Sequence, residues 1–251
     1  MGLSMTDEGK RRTGDSVAID GGYQHRALTE GPAVQRFWHF AKKMAISRLL
    51  PPVPGDFALD IGCGSGVISG HLAQAGADVL AVDGNSDAIA FAEGQYGSPS
   101  TEFRLGLVDE DFHVDRPVDK VYCLELIEHI HYPQARLLLD HARSVMRPGG
   151  QIFLTTPNYR SAWPVIEWFM DRTGAAPELG GAQHVEFYHA AKLRNLLVES
   201  GFEVQRLTTK CGVAPWVAPL NWKLAERLQD SELSSRSRFG SILVCVARAT
   251  T

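Results

Sequence analysis

The sequence lacks any apolar run long enough to cross a membrane, which takes about 18–20 residues. Its first sixteen residues, MGLSMTDEGKRRTGDS, also lack the apolar core of a secretory signal. Both absences favour a cytoplasmic protein without a transmembrane segment. Basic residues do not outnumber acidic ones, since the net charge is −4 and the pI is about 6.1. Nucleic-acid binding is therefore not expected, because proteins of that class usually carry a basic surface.

Cysteine is scarce, and its spacing excludes two kinds of structure. The four cysteines, Cys63, Cys123, Cys211 and Cys245, form no C-x-x-C pair. This pattern supports neither a disulfide framework nor a cysteine-based zinc site. We expect reduced thiols within strands and loops.

Short apolar segments alternate with amphipathic ones along most of the chain. The predicted strands are 57–61, 77–83, 101–106, 118–125, 151–158, 203–209 and 241–249. Helices are predicted between them, among them 133–147, ended by Pro148-Gly149-Gly150, and one that Ser86 would cap. Alternation of this kind predicts a parallel sheet covered on both faces. The predicted fold class is therefore α/β, with a doubly wound seven-stranded sheet and a preceding N-terminal helix over 32–50.

Two segments fall outside the alternation. Residues 1–24 are polar and glycine-rich and are predicted to form a flexible tail, which leaves 25–251 as one domain. Residues 159–188 follow the fifth strand and combine a tryptophan-rich stretch with a Gly/Pro-rich one. Because ligands of such sheets bind beyond the carboxyl ends of the strands, we expect 159–188 to form a helical lid.

A glycine-rich turn joins the first strand to the next helix. In LDIGCGSG (59–66), three glycines allow a tight turn and the close approach of a ligand. Asp83 ends the second strand, where a carboxylate can accept both hydroxyls of a ribose. A dinucleotide fingerprint would require glycine at position 67, and Val67 stands there, which argues against a nicotinamide-dependent oxidoreductase.

These motifs, with AVDGN, LGLVDED, LELIEHI and MRPGGQIFLTTPN, resemble those of the class I S-adenosylmethionine (SAM)-dependent methyltransferases. The resemblance implies a Rossmann-like methyltransferase fold and SAM as the cofactor. It also implies a set of cofactor-binding residues: Asp60, Gly62, Cys63, Gly64, Gly66, Asp83, Gly84, Val108, Asp109 and Leu124. Within this set, Gly62 to Gly64 would line the methionine part, Asp83 would bind the ribose and Asp109 would face the adenine amine.

The segment CLELIEHI (123–130) places three polar groups at helical spacing after the fourth strand. On a helix that starts at Glu125, the side chains of Glu125, Glu128 and His129 share one face. The same pattern is similar to that of the ubiquinone-biosynthesis O-methyltransferases, which also have a histidine after the inserted segment, here His184. The small-RNA 2′-O-methyltransferases look similar at these positions and hold a divalent ion with two glutamates and two histidines.

The resemblance leaves two roles open for these residues. In the first, Glu125, Glu128, His129 and His184 bind Mg²⁺, Mn²⁺, Fe²⁺ or Zn²⁺, which would lower the pKa of an acceptor hydroxyl. In the second, no metal is bound, and Glu125, His129 or His184 removes the proton or orients the acceptor.

The sequence thus favours a SAM-dependent methyltransferase that acts on a small-molecule acceptor, at oxygen. N- or C-methylation of a secondary metabolite or aminosugar is the alternative enzyme reading, and a non-catalytic SAM-binding partner or sensor is the alternative outside enzymes. Trp163, Trp168 and Phe169 in the lid are compatible with an amphipathic acceptor and with peripheral membrane contact. Tyr23, Trp38 and His39 are candidate acceptor contacts. The sequence leaves the oligomeric state open.

Overall fold

A computed structural model describes residues 20–173, 184–235 and 239–250. Seven strands form one sheet in the order β3-β2-β1-β4-β5-β7-β6. The strands are β1 (Phe57–Ile61), β2 (Asp78–Asp83), β3 (Thr101–Leu105), β4 (Val118–Leu124), β5 (Met146–Pro157), β6 (Phe202–Lys210) and β7 (Ile242–Ala249). All pairings from β3 to β5 are parallel, and β7 is antiparallel to both β5 and β6. This arrangement confirms the predicted fold class.

Helices cover the sheet on both faces. They are α1 (Tyr23–Thr29), α2 (Ala33–Leu49), α3 (Val67–Gln74), α4 (Ser86–Tyr96), α5 (Tyr132–Ser144), α6 (Trp163–Thr173), α7 (Ala190–Glu199), α8 (Ala214–Val217) and α9 (Trp222–Ser234). Apolar residues of α5 and α7 pack on one face, and those of α2, α3, α4 and α9 pack on the other. The central strands are buried on both sides, which explains their continuous apolar sequences.

The order of the strands determines where a ligand can bind. The chain runs outward from β1 through β2 to β3, and then returns to place β4 on the other side of β1. The helices that follow β1 and β4 therefore lie on opposite faces, and a crevice opens beyond the carboxyl ends of these two strands.

The predicted end of the fifth helix was wrong. Helix α5 ends at Ser144, and β5 already begins at Met146, so Pro148-Gly149-Gly150 lies within the strand. The register with β4 shifts here, because Val118 pairs with Met146 but Lys120 pairs with Gln151. Gly149 adopts a φ of 73°, a backbone conformation that is strained for residues with a side chain. Glycine at this position therefore permits the irregular loop in the strand.

Two smaller boundaries also differ from the predictions. Helix α4 is capped by Asn85 rather than Ser86, since the Asn85 side chain accepts hydrogen bonds from the backbone N–H groups of Asp87 and Ala88. Residues 20–24, assigned to the tail, pack against the fold, and α1 begins at Tyr23. Residues 1–19 of that predicted tail lie outside the described residues.

The segment after β6 could not be interpreted from the sequence, and it adds α8 and α9. Trp222 packs against Phe37 and Phe40 of α2, with ring centroids 5.1 and 5.5 Å apart. In the predicted lid, Trp163 of α6 is buried and packs on Trp38 at 5.5 Å, whereas residues 174–183 lie outside the described part. Among the helices of the described ranges, none has the length and hydropathy of a membrane span.

The four cysteines are buried and unpaired, as the sequence predicts. Burial raises the pKa of all four thiols, to about 12 for Cys211 and Cys245. Cys123 and Cys245 lie in strands of the sheet core, Cys63 in the glycine-rich turn and Cys211 just after β6.

Candidate active site

A cleft of about 440 Å³ opens beyond the carboxyl ends of β1, β2 and β4. Six of the predicted cofactor-binding residues line it: Gly62, Gly64, Asp83, Gly84, Val108 and Asp109. Glu125 and His129 line the same cleft, as do Leu107, Leu137 and Leu138, which form an apolar wall. The structure therefore brings the glycine-rich turn, the acid of β2 and the segment after β4 into one space.

The glycine-rich turn has a backbone that requires glycine. Gly62, Gly64 and Gly66 have φ angles of 73°, 50° and 78°, which residues with a side chain rarely adopt. A Cβ atom at Gly64 would lie 2.4 Å from Gln24 Oε1, and one at Gly66 would lie 2.9 Å from Ala92 Cβ. The turn is therefore tightly covered, both toward α1 and toward α4.

Asp83 is held by the turn that it faces. Its Oδ2 accepts a hydrogen bond from the backbone N–H of Gly64 at 2.8 Å, and its Oδ1 accepts one from Asn85 N–H at 2.8 Å. Each carboxylate oxygen keeps acceptor capacity for a further donor. Because Asp83 also lines the cleft, its carboxylate can accept a hydrogen bond from a hydroxyl group there.

Helix α1 covers this turn, which the sequence did not predict. Gln24 Oε1 accepts a hydrogen bond from Ser65 N–H at 3.1 Å, and His25 N–H donates to Ser65 Oγ at 3.0 Å. Asp20 and Tyr23 also line the cleft. A helix of only seven residues offers no apolar periodicity, so no local signal in the sequence could have identified it.

Four predicted cofactor-binding residues lie behind the cleft rather than on its surface: Asp60, Cys63, Gly66 and Leu124. Asp60 is buried, accepts a hydrogen bond from Ser69 Oγ at 2.7 Å and has its pKa raised to about 7 by burial. Gly66 caps α3 in the left-handed conformation. These contacts give Asp60 and Gly66 a part in shaping the turn.

The predicted helix starting at Glu125 was wrong. Glu125 has a φ of 54°, and only Ile127–His129 form a short 3₁₀ turn. The carboxylate of Glu125 pairs with Lys42 Nζ at 2.6 Å and with Lys210 Nζ at 3.8 Å, and it is not part of the group formed by Glu128, His129 and His184. Although burial opposes it, the two lysines lower the pKa of Glu125 to about 2. A carboxylate with that pKa is a weak proton acceptor at neutral pH.

Glu128, His129 and His184 do come together, with one possible ligand atom from each lying within 4.8 Å of the others. Glu128 is 1 % exposed, and its Oε2 accepts a hydrogen bond from Thr156 Oγ1 at 3.0 Å. Its backbone carbonyl accepts from Val185 N–H at 2.9 Å, which ties the chain after the lid to this turn. Burial raises the pKa of Glu128 to about 7.

His184 is positioned by aromatic residues. Its Nδ1 lies 2.8 Å from Tyr159 Oη, and its ring centroid is 4.9 Å from that of His129. His184 is buried, whereas His129 is partly exposed and borders the cleft. His129 is therefore the member of the group that a molecule in the cleft can reach.

The three residues that the sequence suggested as acceptor contacts differ in their access to the cleft. Tyr23 lines the cleft, Trp38 packs on Trp163, and His39 is buried beside Lys42 and Glu125. Burial lowers the pKa of His39 to about 3, so its imidazole is neutral at pH 7.

Comparison with known proteins places these features in a family. Residues 35–207 match the family model described as a methyltransferase domain. The ubiquinone biosynthesis O-methyltransferase of Xylella fastidiosa (strain 9a5c) is 33 % identical over 111 residues, 43 % of this chain and 44 % of that protein. The corresponding protein of Xanthomonas campestris pv. campestris (strain B100) is 34 % identical over 110 residues, 42 % and 45 % of the two chains. The alignments thus span less than half of these relatives.

Solved structures agree in fold. The magnesium protoporphyrin IX methyltransferase of Synechocystis PCC 6803, with bound S-adenosylhomocysteine (SAH), has a TM-score of 0.61 at 18 % identity, covering 90 % of this chain and 93 % of its own. A SAM-dependent methyltransferase of Mesorhizobium loti has a TM-score of 0.61 at 20 % identity, covering 83 % and 97 %. The match to the family model extends over more than half of the sequence and confirms the predicted resemblance. The chain belongs to the methyltransferase-domain family.

Proposed function

We propose that the chain transfers a methyl group from SAM to an oxygen atom of a small-molecule acceptor. The observation that carries this proposal is the position of His129, which borders the same cleft as the glycine-rich turn and Asp83 and lies against His184 and Glu128. A cofactor site and a group able to remove a hydroxyl proton are thus neighbours. The names of the curated relatives, which are O-methyltransferases, support the choice of oxygen.

The residues of the cleft fit SAM. Gly62 and Gly64 bring the backbone of the turn to the surface of the cleft, Asp83 presents a carboxylate there, and Val108 and Asp109 provide an apolar surface and an acceptor. We assign the methionine part to the glycines, the ribose to Asp83 and the adenine to Val108 and Asp109. When bound, SAM supplies an electrophilic methyl group on a sulfonium centre.

Removal of the acceptor proton has two candidate routes. In the metal-free route, His129 accepts the proton, and the buried carboxyl of Glu128 and the imidazole of His184 lie beside it. In the other route, Glu128, His129 and His184 hold a divalent ion. Two imidazoles and one carboxylate suit Zn²⁺, Fe²⁺ or Mn²⁺ better than Mg²⁺, which prefers oxygen ligands. Such an ion would act as a Lewis acid on an acceptor hydroxyl.

Glu125 is not proposed as a ligand or a base in either route. Its carboxylate is paired with Lys42 and Lys210, which opposes its use as a metal ligand. With a pKa of about 2, it is also a weak proton acceptor at neutral pH. The sequence pattern implied that Glu125 is a metal ligand or a base. The structure differs because Lys42 and Lys210, which are distant in the sequence, pair with its carboxylate.

The domain and its acceptor surface complete the proposal. Residues 25–251 are proposed as one methyltransferase domain, extended by 20–24, with α6 as the described part of a lid.

Val165 and Trp168 on α6 are 68 % and 57 % exposed, which suits an amphipathic acceptor or contact with a membrane surface. Nucleic acid is not proposed as a partner, because the net charge is −4.

The test combines cofactor binding with turnover. Isothermal titration calorimetry should show SAH binding to the wild type, and a panel of catechols should be methylated at oxygen. His129→Ala and His184→Ala should each lose at least about a hundredfold in kcat, the usual contribution of acid–base catalysis, with SAH affinity retained. His113→Ala, at an exposed position, is the control. Near-wild-type turnover in both variants would favour N- or C-methylation, and SAH binding without any turnover would favour the sensor reading.

A further inference from the structure

A second cavity lies at the edge of the sheet. Its volume is about 800 Å³, and its lining includes Gln205–Thr209 of β6, which is the last strand of the sheet. The first residues of α7, Ala190 and Ala191, line it as well. The residues that line this cavity and those that line the cleft have no member in common. It is therefore a separate space, which the proposed methyl transfer does not use.

The charged side chains around this cavity are all basic. Arg160, Arg194 and Arg206 line it, and no aspartate or glutamate does so among the described residues. None of these three arginines forms an ion pair within residues 20–173, 184–235 and 239–250. Six arginines elsewhere are paired with a carboxylate: Arg26, Arg48, Arg104, Arg116, Arg136 and Arg147. The cavity thus gathers positive charge that the described side chains do not compensate.

The three arginines differ in how they are held. Arg206 Nη2 donates hydrogen bonds to the carbonyl oxygens of Leu233 and Ser234, the latter at 3.0 Å, at the end of α9. These carbonyl groups position the guanidinium but carry no net charge. Arg160 and Arg194 are exposed, and their guanidinium groups make no hydrogen bond within the described part of the chain. Both are therefore accessible to a ligand that enters the cavity.

The start of α7 adds neutral donors to the same wall. The backbone N–H groups of Ala190 and Ala191 have no acceptor among the described residues. His189, the N-cap, also lines the cavity, and its Nδ1 accepts a hydrogen bond from Lys192 N–H at 3.4 Å. Burial, with the charges of Arg160 and Lys192, lowers the pKa of His189, so its imidazole is neutral at pH 7 and keeps Nε2–H as a donor. These donors add to the arginines in favouring an anion.

The donors and the volume together indicate the kind of anion. Guanidinium groups bind phosphate by paired hydrogen bonds, and a dianion balances two of them. The cavity is much larger than a phosphate group, so a ligand there has a further part. Asn195 and Gln205 also line the cavity and offer amide groups to hydroxyls of that part.

We propose that this cavity is a second ligand site, which binds a phosphate monoester of a small polar molecule and uses Arg160 and Arg194 to compensate the phosphate charge. This inference goes beyond the proposed function and does not depend on it.

The first experiment measures binding by calorimetry at constant ionic strength, with the full chain and without SAH. The wild type should bind glycerol 3-phosphate at least about tenfold more tightly than glycerol, as one charge-assisted hydrogen bond provides. Arg160→Gln and Arg194→Gln should each reduce the affinity for the ester at least about tenfold. Their Tm should stay at the wild-type value, because both side chains are exposed. The matched control is Arg227→Gln, at an exposed position of α9 outside the cavity, which should bind as the wild type does.

Three results of this experiment would overturn the site. The first is no binding of the ester, or equal binding of the ester and glycerol. The second is an equal loss of affinity in Arg227→Gln, which would indicate general attraction by positive charge. The third is an unchanged affinity in both Arg160→Gln and Arg194→Gln.

The second experiment compares the ester with other anions. Inorganic phosphate and succinate should each bind at least about tenfold more weakly than glycerol 3-phosphate. Equal binding of inorganic phosphate would overturn recognition of the polar part, and equal binding of succinate would overturn the choice of phosphate. Phosphatidic acid in phosphatidylcholine vesicles carries the same monoester on a lipid. Sedimentation with these vesicles, without binding of the soluble ester, would overturn the choice of a small polar molecule.

Binding of SAH to the same variants separates this inference from the proposed function. Arg160→Gln and Arg194→Gln should keep wild-type SAH affinity, since neither residue lines the cleft. Loss of SAH affinity in either variant, together with loss of the ester, would overturn the claim of a separate site. Failure of the wild type to bind SAH would remove the proposed function and leave this inference standing.

Discussion

The carboxylate of Asp83 accepts a hydrogen bond from the backbone N–H of Gly64 at 2.8 Å, across the gap between β2 and the glycine-rich turn. Asp83, which we assign to the ribose, therefore also stabilises the conformation of the glycine-rich turn. Binding and local folding are coupled at this contact, and substitutions on either side of it should affect both.

Asp83→Asn should weaken the binding of SAM and SAH by about 10–100-fold. The amide keeps the shape of the side chain but loses a charged acceptor, and a hydrogen bond to a charged group contributes about 1.5–3 kcal/mol. Calorimetry with SAH measures the effect, and Asp87→Asn, in the first turn of α4, is the control. An unchanged affinity would falsify the assignment of Asp83.

Gly64→Ala should reduce SAH affinity and lower the Tm. The φ of 50° strains any other residue, and the new methyl group would meet Gln24 Oε1 at 2.4 Å, which forces α1 away from Ser65. The matched control is Gly94→Ala in α4, where an added Cβ meets nothing within 4 Å. That control should stabilise the protein by about 0.5–1 kcal/mol, because alanine is the better helix former. Equal behaviour of the two variants in thermal unfolding would contradict the strain argument.

Glu128→Gln should stabilise the metal-free protein at pH 8 but not at pH 4.5. Burial raises the pKa of Glu128 from 4.5 to about 7, so the folded state holds a proton that the unfolded state has released between these values. For such a group, stability falls as the pH rises from 4.5 to 7 and is constant above, with a total loss on the order of 3 kcal/mol.

Urea unfolding in the presence of a chelator, at pH 4.5 and pH 8, measures this difference. Glu93→Gln, at an exposed position on α4, should show no such pH dependence relative to the wild type. A variant that is destabilised equally at both pH values would show that the hydrogen bond with Thr156 outweighs the burial of charge.

Zn²⁺ or Mn²⁺ should raise the Tm of chelator-treated wild-type protein, and His184→Ala should lose this response. The reason is that Glu128, His129 and His184 already place three ligand atoms within 4.8 Å of one another, so little rearrangement is needed. His113→Ala should respond as the wild type does. If no metal shifts the Tm and activity survives dialysis against EDTA, the metal route is removed and His129 remains as the base.

The elements that the sequence predicted well are those defined by short-range patterns. The buried strands β1 and β2 and the turn between β1 and α3 were predicted within one or two residues, because apolar runs bounded by glycine and aspartate are local signals. The family resemblance and the fold followed from the same segments.

The parts that could not be predicted depend on contacts between distant residues. The spacing of Glu125, Glu128 and His129 suggested one helical face, yet Glu125 turns toward Lys42 and Lys210, which are 83 and 85 residues away in the sequence. The same holds for Gln24, whose contact with Ser65 joins segments 41 residues apart. Periodicity cannot reveal such pairings, because they form only when the sheet brings the segments together.

The burial of all four thiols has a practical consequence for spectroscopy. Thiol-reactive dyes and spin labels attack the thiolate, and a sequestered group with a raised pKa offers little of it. A single cysteine introduced at an exposed site on α1, such as Thr29, would therefore be modified selectively without removal of the native ones. Fluorescence from that position would test whether α1 moves relative to the glycine-rich turn when SAH is added.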